Sequence, residues 1–415
     1  MSERDEKFDI VVIGGGIVGL ASAYKIAKNH PEVRLAVIEK EETLGYHQTG
    51  HNSGVIHSGL YYKPGSSKAK NCTKGRKELI SFAKKHNIPY EICGKVIVAT
   101  AQKELPHLER IFENGCENEI EGIEKISAQK IKELEPASNG IAGILVPCTG
   151  VIDYVKVAEK LAELTVKDND NKILAGHEVM ALDKHDFFTE VRTNQSTFST
   201  KYVVNCAGLQ SDRIAKADGL WPDVRIIPFR GDFYELTGDA QEKVKHLIYP
   251  VPNPTFPFLG VHFTRMINGT VECGPNAVFS FKREGYGKTD FDAADTWESL
   301  SYLGTWKLFM KHIRFGVSEY ARAVSRKLFL RNLQRLIPSL TEQDIKPCKS
   351  GVRAQAVAKN GKPVDDFKIE KGKNSIHVLN APSPAATASL AIGEYINEIA
   401  TEHFKLGKNK EPIVY

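Results

Sequence analysis

The stretch FDIVVIGGGIVGLASAYKIAKNHPEVRLAVIEK, residues 8–40, decides the fold. Phe8 to Ile13 is an apolar, β-branched run that reads as a buried strand. Gly14, Gly16 and Gly19 follow at G-x-G-x-x-G spacing, with Gly15 between the first two. Helical periodicity then extends from about Ile17 to Lys28, and a second apolar run, Leu35 to Ile38, ends in Glu39 and Lys40. Each part has a physical task. The first glycine permits a tight turn, the second lets backbone approach a pyrophosphate, and the third lets helix pack on strand. The helix N-terminus offers unpaired N–H groups and a positive dipole end to phosphate. Glu39 is placed to accept hydrogen bonds from a ribose. Strand, turn, helix, strand and terminal acid at these intervals define an adenine-dinucleotide site.

Only seven residues precede Phe8, and no signal peptide, Arg-rich transit segment or membrane-spanning run is read in the chain as given. At 415 residues two domains are expected. A net charge of +5 is modest for that length and gives no reason to expect a nucleic-acid partner. The seven cysteines are scattered, with no C-x-x-C pair, so neither disulfides nor a structural metal is expected.

Beyond Lys40 the chain enters GYHQTGHNSGVIHSGLYYKPGS, Gly45 to Ser66, rich in Gly, His and Tyr. Such glycine density marks backbone held close to a ligand. A charged amphipathic helix is expected from Ser67 to about His86, and one strand in YEICGKVIVAT. Helices at Glu104–Asn118, Ser127–Glu135 and, with Asp153 as N-cap, from Asp153 to Leu164 follow. Strand-like runs cover 173–182 and 187–193, and KYVVNCAGLQSD carries a buried strand into the small residues Cys206, Ala207 and Gly208. The region 220–347 is irregular, with a proline-rich turn at Pro250–Phe258 and a basic helical segment from about Trp297 to Ile337. At the C-terminus, NAPSPAATASLAIGEYI puts Pro382 and Pro384 ahead of a helix expected from Ala385 to Phe404.

The glycine fingerprint, HQTGHNSGVIHSGLYY, CAGLQSD, PFRGDFYEL, GVHFT, KREGY, SGVRAQA and NAPSPAATASLAIG lie in an order that resembles FAD-dependent oxidoreductases of the D-amino-acid oxidase and glycerol-3-phosphate dehydrogenase type. Within that family the set is most similar to the branch that oxidises L-2-hydroxyglutarate, over Phe8 to about Ile396. The resemblance implies FAD and an α/β fold, in which a Rossmann-like FAD-binding domain (1–87, 145–220 and 346–415) is interleaved with a mixed-sheet α+β substrate domain (88–144 and 221–345). It implies cofactor contacts from Gly14, Gly15, Gly16, Gly19, Glu39, Lys40, Thr49, His51, Asn52, Ser53, Gly54, Val179, Ala207, Gly208, Gly351, Arg353, Ser383, Pro384 and Ala385. It also implies a mitochondrial location at the inner membrane and a quinone-type electron acceptor.

Oxidising a secondary alcohol on flavin requires hydride transfer from C2 to N5 and a base for the hydroxyl proton, a task suited to His. His262, in GVHFT, ranks first and His57, in the glycine-rich loop, second. A dicarboxylate substrate needs cations, best supplied by Arg, and the available set is Arg230, Arg265, Arg283 and Arg353, with Tyr61 as a further contact. Another small acid as substrate, an amino acid or glycerol phosphate, stays open, as does a dinucleotide-binding protein without turnover. Trp306 to Arg335 carries eight cations against Glu319, while Phe309, Ile313, Val317, Ala321, Val324 and Leu328 recur at helical spacing. This pattern suits an anionic membrane surface, with Gly316 expected to divide the segment into two helices.

Overall fold

Strand Glu6–Ile13, buried from Ile10 to Ile13, lies inside an eight-stranded sheet in the computed structural model, which describes residues 6–167, 170–252 and 260–407. Leu35–Ile38 pairs parallel on one side of it and Thr197–Asn205 on the other. Lys172–Leu174 and Ser375–Asn380 extend this parallel core outward. A strand with parallel partners on both sides needs both sheet faces covered, which is why these runs are apolar throughout rather than alternating. Helices Ile17–Asn29, Ser67–Lys85, Tyr154–Val166 and Ser389–His403 share the core on one face. On the other, Leu182 and Val191 of the antiparallel hairpin Val179–Lys184 and Thr189–Thr193 pack against Val11 and Ile38. Asp153 caps its helix as expected, accepting from Val155 N and Lys156 N at 3.0 and 3.1 Å.

The second sheet has nine strands and is mainly antiparallel. Its two longest strands, Val224–Leu236 and Ile345–Ala358, pair over nearly their full length. His262–Arg265, Leu247–Pro250 and Lys95–Ala99 follow toward the other edge, closed by Ala142–Val146 and Glu124–Ser127. Three short strands, Val55–Ile56, Gly150–Ile152 and Tyr90–Glu91, form a separate small sheet. The seven cysteines are free thiols.

Several expected boundaries move. Residues 346–358, assigned to the FAD-binding part, belong to the second sheet because their backbone pairs with Val224–Leu236. The run 173–182 is two strands. Gly176 at φ +73° turns the chain between them, so Lys172–Leu174 pairs parallel and Val179–Lys184 antiparallel. YEICGKVIVAT likewise divides at Gly94, φ +76°, and its halves join different sheets. The last helix starts at Ser389, because Pro382–Ala388 first forms turns closed by Ala385 N on Pro382 O and Ala388 N on Pro384 O. The basic segment is four helices, Ala293–Leu300, Leu303–Lys311, Ile313–Val324 and Arg326–Leu333. Its breaks fall at Ser301–Tyr302, His312 and Ser325, the last capping the following helix by accepting from Leu328 N. Gly316 sits inside the third helix, where one glycine costs only about 1 kcal/mol relative to alanine. Of the proline-rich turn, residues 253–258 lie outside the described residues.

Candidate active site

A cavity of about 880 Å³ runs from the ends of the parallel strands to the second sheet. Glu39, Lys40 and Val179 line one end. The Glu39 carboxylate accepts from Gly15 N at 2.7 Å and Glu41 N at 3.0 Å, which fixes it at the tip of its strand. Lys40 bridges Glu41 and Glu284. Next come Gly14 and Gly16. Gly14 holds φ +113°, and a Cβ there would lie 2.5 Å from the Cys206 carbonyl. A Cβ on Gly16 would meet only Thr49 Oγ1, at 3.5 Å, so bare backbone faces the cavity there. Thr49 Oγ1 also accepts from Ile17 N at 3.0 Å and so borders the helix N-terminus.

Thr49, His51, Asn52, Ser53, Ala207, Gly208, Gly351, Ser383, Pro384 and Ala385 line the middle. His51 Nδ1 donates to Ser350 O at 2.6 Å and its ring stacks on Tyr286 at 4.2 Å, which orients the imidazole. Burial holds its pKa below the ordinary value. Gly351 is required by proximity, since a Cβ would stand 2.2 Å from His51 O. Three residues expected on the cofactor do not line the cavity, because each serves packing. A Cβ on Gly15 would meet the Glu39 side chain at 2.8 Å, and one on Gly19 the Gly14 carbonyl at 2.0 Å. Gly54, at φ +64°, turns beside the Ile152 carbonyl. The bare backbone at Gly16, the fixed Glu39 carboxylate and the slot of small residues fit the pyrophosphate, ribose and flat ring of FAD.

His57, Tyr61, Tyr62, Phe233, Tyr249, His262 and Arg353 form the other end. Tyr154 Oη and the Thr387 hydroxyl bond each other at 2.8 Å, and the hydroxyl accepts from His57 N at 3.1 Å. His262 Nδ1 donates to the Gly260 carbonyl at 3.0 Å, leaving Nε2 as the unprotonated nitrogen, and the ring stacks on Tyr249 at 4.0 Å. Burial pulls the pKa of His57 down to about 3 and that of His262 to about 4, helped by nearby Lys95, so both rings are neutral at pH 7. Arg353 falls to about 10 for the same reason and remains a cation. The Tyr61 hydroxyl is buried without a hydrogen-bond partner among the described residues, and burial keeps it protonated. At the mouth stand Lys68, His107, Arg110 and Asn114.

Three of the four arginines differ from expectation or leave the carboxylate set. Arg230 is buried, but its guanidinium is spent on Asp232 at 2.9 Å and on the Gly287 carbonyl. Arg283 is wholly buried and bound to Asp212 and Glu298. Arg265 ends its strand away from the cavity lining. Tyr62, Lys68, Tyr249 and Phe233 were not singled out from sequence. Lys95, the one cation opening the otherwise apolar run KVIVA, was not singled out either, although a charge in such a run is a recognisable irregularity.

The profile described as DAO, FAD dependent oxidoreductase, matches residues 9–399. The chain belongs to that family of flavoenzymes. L-2-hydroxyglutarate dehydrogenase of Indibacter alkaliphilus is 48% identical over 96% of this chain and 100% of its own length. The Nematostella vectensis protein named L-2-hydroxyglutarate dehydrogenase, mitochondrial, is 42% identical over 97% of this chain and 92% of its own. Among solved structures, L-alpha-glycerophosphate oxidase of Mycoplasma pneumoniae with FAD bound superposes with a TM-score of 0.77 at 23% identity, over 98% of this chain and 97% of that one. The protein is therefore an oxidoreductase with FAD as cofactor.

Proposed function

We propose that this enzyme oxidises L-2-hydroxyglutarate to 2-oxoglutarate in the cavity between the two sheets. The observation that carries the reading is the cluster of neutral His262 and His57 with half-buried Arg353 and Tyr61, at the end of the cofactor cavity. When bound, FAD supplies the acceptor for the hydride leaving C2. His262 Nε2 takes the hydroxyl proton, since Nδ1 is committed to Gly260. Arg353 and the Tyr61 hydroxyl hold a carboxylate of the substrate, and the apolar walls at Phe233 and Tyr249 exclude water. The relatives' names support this substrate. Anaerobic addition of L-2-hydroxyglutarate is expected to bleach the flavin band, with the D-enantiomer, glycerol 3-phosphate and L-amino acids without effect. Bleaching by one of those instead would replace the substrate assignment.

Reducing equivalents then pass to a quinone-type acceptor in a membrane on which the protein lies. Support comes from the helices Leu303–Lys311 and Ile313–Val324, whose outward face exposes Leu303, Trp306, Met310, Ile313, Val317 and Val324, the last 82% exposed. Lys307, Lys311 and Arg314 are exposed beside them. Such a face seats apolar groups at the headgroup boundary while cations meet anionic lipid. Other cations of the segment have internal tasks: Arg322 pairs with Glu319, Arg326 holds the Glu342 and Ile345 carbonyls, and Arg335 pairs with Glu104. Among the described residues no helix is long and apolar enough to cross a membrane. The relatives carry bacterial and mitochondrial names alike, and the surface suits either setting. Sedimentation with anionic liposomes should be lost on Val317→Glu and weakened by Lys307→Glu with Lys311→Glu. Unchanged partition in both variants would remove the membrane reading.

A further inference from the structure

Lys95 is among the largest fully buried side chains of the protein. It opens the strand Lys95–Ala99, between Leu247–Pro250 and Ala142–Val146 in the second sheet. Among the described residues no carboxylate forms an ion pair with it. Burying an unpaired ammonium is strongly unfavourable, and an apolar residue of similar length would serve a purely structural role better. Its nearest compensation is aromatic: Nζ lies 4.8 Å from the Tyr61 ring centroid and 5.0 Å from that of Tyr249. Both rings line the cavity. Tyr249 also carries the imidazole of His262 at 4.0 Å, nearly parallel. One ring face has no room for both neighbours at those distances, so Tyr249 is sandwiched between Lys95 and His262. The cation thus lies one aromatic layer behind the site.

We propose that Lys95 is a positioning residue that sets substrate charge preference: it fixes Tyr61 and Tyr249 as the floor of the site and supplies, through those rings, the positive potential that selects a dianion over a monoanion. The inference rests on the dicarboxylate reading above. Electron-rich ring faces bind the ammonium on one side, while the Tyr249 hydroxyl bonds Thr264 and the Tyr61 hydroxyl remains a neutral donor for carboxylate oxygen. Arg353 meets one carboxylate, and the Lys95 charge attracts the other. For a carboxylate across the ring layer, roughly 8 Å from Nζ, a unit charge in a partly buried site changes affinity about thirtyfold. Burial pulls the Lys95 pKa down to about 8, so the charge is present at pH 7 and titratable within the working range.

The test compares holoenzyme with Lys95→Met, which keeps the shape and removes the charge, and Lys95→Arg, which restores a cation. In Lys95→Met, KM for L-2-hydroxyglutarate and Kd for glutarate, read from the flavin spectrum, should rise about ten- to fiftyfold. At the same time kcat should stay within about threefold, and Kd for butyrate should change little. Lys95→Arg should recover most of the glutarate affinity. Unchanged glutarate binding, or equal losses for glutarate and butyrate, would overturn the proposal. If Lys95→Met does not retain FAD, the wild-type protein decides. Around Lys95, the Tyr61 and Tyr249 phenols and the Cys72 and Cys148 thiols are pushed up, His57 and His262 down, while Arg353 lies near 10. Glutarate Kd should therefore rise from pH 8 to 9 by several-fold while butyrate Kd stays level, and a flat glutarate profile would overturn the proposal. Wild-type enzyme that fails to turn over L-2-hydroxyglutarate would remove the substrate reading itself, whereas normal turnover with an indifferent Lys95→Met removes only this inference.

Discussion

Replacing His262 by Asn removes Nε2 but keeps a donor where Nδ1 meets the Gly260 carbonyl at 3.0 Å. The substitution therefore isolates the nitrogen assigned to the hydroxyl proton from the one that anchors the loop. Loss of a general base typically costs about 10²–10⁴ in rate, or roughly 3–5 kcal/mol of barrier. His262 belongs in the lower part of that range. Its pKa near 4 makes it a weak base at pH 7, and a weak base contributes less to the transition state. A fall in kcat of about 10²–10³ is expected, with Kd for glutarate within about threefold of wild type. Stopped-flow reduction of the flavin at saturating L-2-hydroxyglutarate measures the rate, and ligand perturbation of the flavin spectrum measures Kd. Stacking on Tyr249 at 4.0 Å is a possible source of indirect loss, so FAD content and thermal midpoint serve as controls. A reduction rate within about threefold of wild type would refute the assignment. Collapse of His57→Asn in that case would move the base to the glycine-rich loop.

Tyr61→Phe should leave the thermal midpoint unchanged, because the hydroxyl has no hydrogen-bond partner to lose among the described residues, yet raise KM about tenfold. Arg353→Met should weaken glutarate about ten- to a hundredfold, since a charged hydrogen bond is worth about 1.5–3 kcal/mol; equal affinity for variant and wild type removes it from the carboxylate site. For protein stability, the folded-state pKa values of His57 and His262 lie below the ordinary histidine value near 6.5. The unfolded chain therefore binds more protons between about pH 6.5 and 4, and stability should fall as pH drops through that window, by up to about 1.4 kcal/mol per unit and histidine. Urea titrations of wild type and His57→Asn/His262→Asn at pH 7 and 5 measure this, and an equal pH loss in both proteins contradicts the histidine assignment.

Local sequence determined the first half of the cofactor site. Residues 8–40 needed no distant information, since strand, turn, helix and acid adjoin along the chain and each follows from backbone freedom, apolar period or helix polarity. The Leu35–Ile38 strand and the Asp153 cap were legible for the same reason. Sheet membership was not: residues 346–358 read as a continuation of the cofactor part until their pairing with Val224–Leu236 placed them in the other sheet. Strand pairing joins residues far apart in sequence, so composition carries little of it. The arginines make the same point. Arg230, Arg265, Arg283 and Arg353 look alike in a sequence, and what separates them is whether the fold places them on the cavity wall. Asp232 meets Arg230, Asp212 meets Arg283, and only Arg353 of the four lines the cavity. Lys95 passed as one residue of an expected strand, since only folding sets two tyrosine rings beside it and His262 behind one of them. The sequence determined which groups could bind a dinucleotide and move a proton. Tertiary structure decided which of them line the cavity where a substrate would sit, because that depends on neighbours the fold alone brings within a few ångströms.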